Sequence, residues 1–197
     1  MRKTSHNEGF SLIELMVTVA ILAILTMIAA PNLSDFIRRN NVTSQTNELL
    51  GALQFARSTA VSRNVMVSIC ATTTAADSTP TCSNTNTLNT GWLVYTTTTA
   101  STAIATTDEV LRVFQGATNV SIQIKPSGTK VVTFDTRGSS VSGNLSFLVC
   151  AKKAADTVGQ SGVRSAGRSV NLQSGGRAGS SPLGTDPAKA QALCTAT

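Results

Sequence analysis

Between Leu15 and Ala30 the chain reads LMVTVAILAILTMIAA, sixteen residues without a charge. With Phe10 to Glu14 placed in front, twenty-one residues carry one charge, Glu14. At roughly 1.5 Å per residue, a helix of that length spans about 30 Å, the thickness of a bilayer core. Buried helices of globular domains show shorter apolar stretches, about 10–14 residues. Residues 10–31 are therefore read as a transmembrane helix. Arg2 and Lys3 precede it, so the N-terminus is expected in the cytoplasm and the bulk of the chain outside it. The segment is a poor secretory signal, because Pro31-Asn32-Leu33-Ser34-Asp35 does not offer the small-residue cut site such signals carry.

Glu14 is the anomaly in this run. A carboxylate at bilayer depth costs roughly 2.5–3.5 kcal/mol on insertion scales, so it needs a partner. The run has no Lys or Arg. Cleavage between Gly9 and Phe10 would create an amine on Phe10, four residues from Glu14. That amine could serve Glu14 of the same chain or of a stacked neighbour.

At this point the residues resemble a known family. Gly9-Phe10-Ser11-Leu12-Ile13-Glu14, followed at once by the apolar run, looks like the processing motif of type IV prepilins and type II secretion pseudopilins. The resemblance implies that a prepilin peptidase cuts after Gly9 and N-methylates Phe10. It implies a retained helix that anchors the subunit in the inner membrane and later packs in a filament at the cell surface. It assigns Glu14 to an assembly salt bridge and Pro31 to a helix bend. Residues 1–9 are then a removed leader. His6, the single His, leaves with it. Ser-His-Asp and Cys-His catalysis and His-ligated metal chemistry lose their central residue, so neither enzyme activity nor a cofactor is expected.

Beyond Pro31 the pattern becomes amphipathic. Leu33, Phe36 and Ile37, then Leu49, Leu50, Leu53, Ala56 and Ala60, recur at helical spacing. One bent helix is predicted from about Ser11 to Ser62, its part over 32–62 packed on a head formed by 63–197. Arg38-Arg39 would lie near the membrane surface, a pair read first as a solvated face. From Val65 the signals are β. Strands are predicted over 65–70, 92–96, 110–114, 120–124, 131–134 and 145–150, with a weaker one over 169–172. Gly- and Ser-rich turns separate them, and the Thr-rich stretches 72–90 and 96–107 read as exposed loops. A helix followed by a run of strands predicts an α+β fold, the helix lying on an antiparallel sheet. That is also the pilin fold. Within the family the chain is most similar to the FimT/FimU/GspH group, through Asn47 to Ala60 running into Val65-Val67, and through Gly175-Gly176-Arg177-Ala178.

The 197 residues hold four Cys, at 70, 82, 150 and 194. They form no C-x-x-C pair, and an extracytoplasmic head favours disulfides. Three connectivities are possible. The preferred one joins Cys70 to Cys82, closing the Thr-rich loop, and Cys150 to Cys194, tying down the C-terminal segment.

The net charge is +6, and part of it is concentrated. Lys152, Lys153, Arg164, Arg168 and Arg177 face Asp156 alone over residues 151–179. Two Gly-Arg pairs, Gly167-Arg168 and Gly176-Arg177, would present guanidinium groups on turns, where they suit phosphates. FimT-like pilins bind DNA through Gly-Arg-x-Arg. Here Gly176-Arg177-Ala178-Gly179 lacks the second Arg. The resemblance thus predicts a minor pilin at or near the pilus tip, whose partners are prepilin peptidase, other minor pilins and the major pilin. A DNA-binding minor pilin for transformation and a secretion pseudopilin are the alternatives.

Overall fold

The computed structural model describes residues 10–153 and 155–196, apart from the side chains of 28–32. The chain forms two compact units, one ending at Ile37 and one running from Arg38. The helix α1 (Leu12–Arg63) contributes to both.

In the first unit, α1 begins at a Ser. The Glu14 N–H meets Ser11 Oγ at 3.3 Å, and the N–H groups of Glu14 and Leu15 meet the Ser11 carbonyl at 3.1 and 3.2 Å. Ser11 thus caps the first turn, and Glu14 occupies the third helical position, where a carboxylate suits the positive end of the helix. Sequence reasoning assigned Glu14 to assembly alone and missed this local role, although Ser-x-x-Glu before an apolar run is its signature. Thr18 and Thr26 donate to the carbonyls of Leu15 and Ala23, both at 2.9 Å. Their hydroxyls are therefore satisfied within the helix. Among the described residues no helix is long and apolar enough to cross a membrane. The sequence run continues past Met27 through Ile28, Ala29 and Ala30, whose side chains lie outside the description. The leader with Gly9 lies outside the described residues, as does the side chain of Pro31, to which a bend was assigned; the α1 backbone is helical through that position.

In the second unit, α1 presents Val42, Leu49, Ala52, Leu53, Ala56 and Ala60 as one buried stripe. Ala at 52, 56 and 60 lets strands approach the helix closely. The helix ends where Asn64 turns to φ 54° and the Val65 N–H returns to the Ala60 carbonyl at 3.3 Å. Asn tolerates that left-handed conformation, and the returning bond satisfies a terminal carbonyl.

Among the described residues eight strands follow: β1 (Met66–Ala71), β2 (Gly91–Thr97), β3 (Val110–Gln115), β4 (Val120–Lys125), β5 (Val131–Phe134), β6 (Leu145–Ala151), β7 (Arg168–Leu172) and β8 (Ala178–Pro182). They form two four-stranded sheets rather than one, in the orders β3-β2-β1-β5 and β4-β6-β7-β8, and every pairing is antiparallel. β8 was not anticipated, because AGSSP has neither apolar alternation nor β-branched residues; its pairing with β7 makes it a strand.

The inner faces of both sheets meet the helix stripe in one core. Val67, Ile69, Trp92, Val94, Val132 and Phe134 come from the first sheet. Ile122, Ile124, Phe147, Val149, Val170 and Leu172 come from the second. Trp92 stacks on Phe114 with centroids 5.4 Å apart. Arg112 lies over Phe114, 4.8 Å from the ring centroid, a cation–π arrangement. The first sheet's other face is also covered. There Cys70, Leu93, Tyr95 and Val131 form a smaller cluster, with Cys82 and Ile104 of the Thr-rich loops against it. Those loops therefore act as a third layer, not only as exposed surface.

Candidate functional site

The apolar part of α1 in the first unit makes no core. Phe10 is 81% exposed and Met27 79%, and Leu12, Ile13, Leu15, Met16, Leu22 and Leu25 between them are exposed as well. An apolar helix of this kind requires a cover that its own unit does not supply.

The basic residues of the C-terminal segment do not share one surface. In the second sheet, Arg168 opens β7 opposite Pro182, and Arg177 lies in the turn beyond the opposite end, where Leu172 pairs with Ala178. At roughly 3.3 Å per strand residue, the length of β7 separates them. The Arg168 guanidinium, half-buried, approaches Ser180 Oγ at 3.3 Å, whereas Arg177 is exposed. Lys152 and Lys153 follow β6 at the Arg168 end, since Val149 pairs with Arg168. Lys152 Nζ donates to the Asp156 carbonyl at 3.1 Å. The Arg164 carbonyl accepts from Arg39 Nε at 2.5 Å, so that loop is seated on the early part of the second unit's helix.

Around Arg177 the structure shows a junction with no local sequence signature. Arg57 Nε, on α1, donates to the Gly138 carbonyl at 3.1 Å. Gly138 (φ 79°) and Gly176 (φ 78°) approach so closely that a Cβ on Gly176 would lie 1.8 Å from the Gly138 oxygen. The Ser140 N–H donates to the Ser174 carbonyl at 2.8 Å. The helix, the turn after β5 and the β7–β8 turn thus meet at one point. Asp135 organises the middle turn by accepting from the N–H groups of Arg137 and Ser139 at 2.9 and 2.8 Å. The Ser139 N–H chiefly, with Arg137 beside it, holds the Asp135 carboxyl below its usual range. Sequence reasoning placed Gly176 on a turn and had no means to see it touch Gly138.

The disulfides are Cys70–Cys82 and Cys150–Cys194, the preferred pairing, and no cysteine is free. The second holds a C-terminal segment with two short 3-10 turns, Pro187–Lys189 and Ala192–Cys194, over the outer face of the second sheet. There the Ala196 N–H donates to Gln123 Oε1 at 2.8 Å, and Ser161 Oγ to the Gly184 carbonyl at 2.6 Å.

Known proteins agree with this architecture. The family model described as type II transport protein GspH matches residues 45–176, and the prokaryotic N-terminal methylation motif matches residues 4–30. Two Pseudomonas aeruginosa fimbrial proteins are 44% identical over 55 residues, 28% of this chain. The match spans 35% of their length. Two crystal forms of the P. aeruginosa type IV minor pilin FimU superpose with TM-scores of 0.54 and 0.50. Their identities are 25% and 26%, covering 75% and 71% of this chain and 92% of each FimU chain. With the motif at its start and the GspH model over most of its length, the chain belongs to the GspH family of pilin-like proteins.

Proposed function

We propose that this chain is a minor type IV pilin that enters the pilus at or near its tip and helps to initiate assembly. The observation that carries the reading is the uncovered apolar helix from Phe10 to Met27. It is attached to a head that buries its own core. Lipid covers that helix before assembly, with residues 10–31 spanning the inner membrane, and neighbouring helices cover it in the filament. Prepilin peptidase cleaves after Gly9 and methylates Phe10. Glu14 then pairs with the Phe10 amine of a neighbour and sets axial register. In those apolar surroundings, loss of one partner leaves a charge unpaired, which is far costlier than the pair itself. The surface of the assembled pilus is where the head acts, with other minor pilins and the major pilin as its partners.

The test is incorporation. Glu14→Ala is expected to accumulate in the membrane and to be depleted at least about tenfold from sheared pili. Ser11→Ala, which removes the helix cap but keeps the charge, is expected to be incorporated nearly as wild type. Normal amounts of Glu14→Ala in sheared pili contradict the pairing.

A second reading, a pseudopilin of type II secretion, is favoured by the description of the matching family model. A strain lacking the gene separates the two: lost piliation with intact secretion supports the pilin, and the converse supports the pseudopilin. A DNA-binding reading would have to do without Arg177, which lies at the opposite end of the β7–β8 hairpin from Arg168, Lys152 and Lys153.

A further inference from the structure

One end of the second unit is basic, the end at which its own part of α1 begins. Arg38 and Arg39 open the second unit, and both are exposed. The 160–166 loop is seated there through the Arg39 to Arg164 contact. Gln160 bridges back to Ala151, which keeps Lys152 and Lys153 at the same end of the second sheet. Arg57, eighteen residues after Arg39 and therefore about 27 Å further along the helix, meets Gly138 at the other end of the head. Arg137 and Arg177 belong to that far end. The acidic side chains toward this end are Asp35 and Asp156, with Asp77 in the loop after β1 and Asp186 in the C-terminal segment beside Ser161, fewer than the basic ones.

Cations just after an apolar span, on the side carried across the membrane, run against the usual charge bias of such segments. Their placement calls for an anionic surface. We propose that Arg38, Arg39, Lys152 and Lys153 form a collar that binds the anionic headgroups of the membrane holding the helix. The inference rests on the reading that residues 10–31 are membrane-anchored. The collar holds the head against the lipid until the subunit is extracted into the filament. Each cation near a charged membrane surface is worth about fivefold in binding, so four act together as a strong but salt-sensitive contact.

The test uses the full chain in nanodiscs of phosphatidylcholine alone or of equal parts phosphatidylcholine and phosphatidylglycerol, with backbone hydrogen exchange as readout. Peptides covering 151–167 are expected to exchange about tenfold more slowly in the anionic discs. That protection should disappear in high salt. It should also disappear in Arg38→Gln/Arg39→Gln/Lys152→Gln/Lys153→Gln, and weaken in Lys152→Gln/Lys153→Gln, which leaves the Arg39 contact intact. Arg177→Gln removes the same kind of charge at the far end and should leave it unchanged. Equal exchange in both discs overturns the collar. So does protection produced by duplex DNA in neutral discs without any effect of phosphatidylglycerol, which would assign the cations to nucleic acid. Free exchange of peptides 12–27 in both discs would overturn the anchored reading itself, and the collar with it.

Discussion

Tyr95 sits on the covered outer face of the first sheet, and its hydroxyl donates to the Thr102 carbonyl. Burial raises its pKa from 10.0 to about 12, with the Asp108 charge adding to the effect and a hydrogen bond with Ser68 opposing it. The folded state therefore holds this proton more tightly than the unfolded chain. Its contribution to stability is complete below pH 10 and is lost as pH rises through about 12. Because the chain has one tyrosine, the effect is open to direct optical titration. Tyrosinate absorbance of the native protein should rise near pH 12 rather than near 10. An ordinary titration near 10 would mean that the Thr-rich loops do not seal this face.

At the scale of elements, the two disulfides differ in what they restrain. Cys70–Cys82 closes a span of 12 residues and pins the covering loop to β1. Cys150–Cys194 closes 44 and pins the C-terminal segment to β6. Chain-entropy arguments give about 3 kcal/mol for the shorter loop and about 4 kcal/mol for the longer. The double variant Cys150→Ala/Cys194→Ala is thus expected to lose more stability than Cys70→Ala/Cys82→Ala. Urea midpoints, followed by the fluorescence of the single, buried Trp92, measure both. A larger loss from the shorter loop would show that the covering loop contributes by packing more than by tethering. The same scale shows what was legible beforehand. α1 and seven strands were predicted to within a residue or two, because helical and alternating apolar spacing is written locally. β8 escaped because Gly, Ser and Pro carry no such pattern.

For the whole molecule, the junction of Arg57, Gly138 and Gly176 ties the helix to the turns of both sheets. A side chain at Gly176 meets backbone oxygen at 1.8 Å and a φ of 78°, two penalties that no rotamer change relieves. Gly176→Ala should cost more than about 2 kcal/mol. Gly175→Ala, one residue away in open space, should stay within about 0.5 kcal/mol. Denaturation of the two variants side by side decides the matter, and equal stability would mean that the turns separate at little cost. The molecule as a whole joins a head with its own core to a helix with none.

What the sequence alone determined were features whose cause is local or a matter of chain chemistry: the apolar run and its single carboxylate, the processing motif, the helix span and the strand positions. The cysteines could be paired by preference because few connectivities exist for four of them. Tertiary packing divided the strands into two sheets and laid the Thr-rich loops over the first as a covering layer. It also decided that the basic residues split between two ends of the head and that two distant glycines touch. Each of these is a contact between segments far apart in the chain. Such contacts follow from the joint packing of helix and sheets, and neither partner's local spacing records the other.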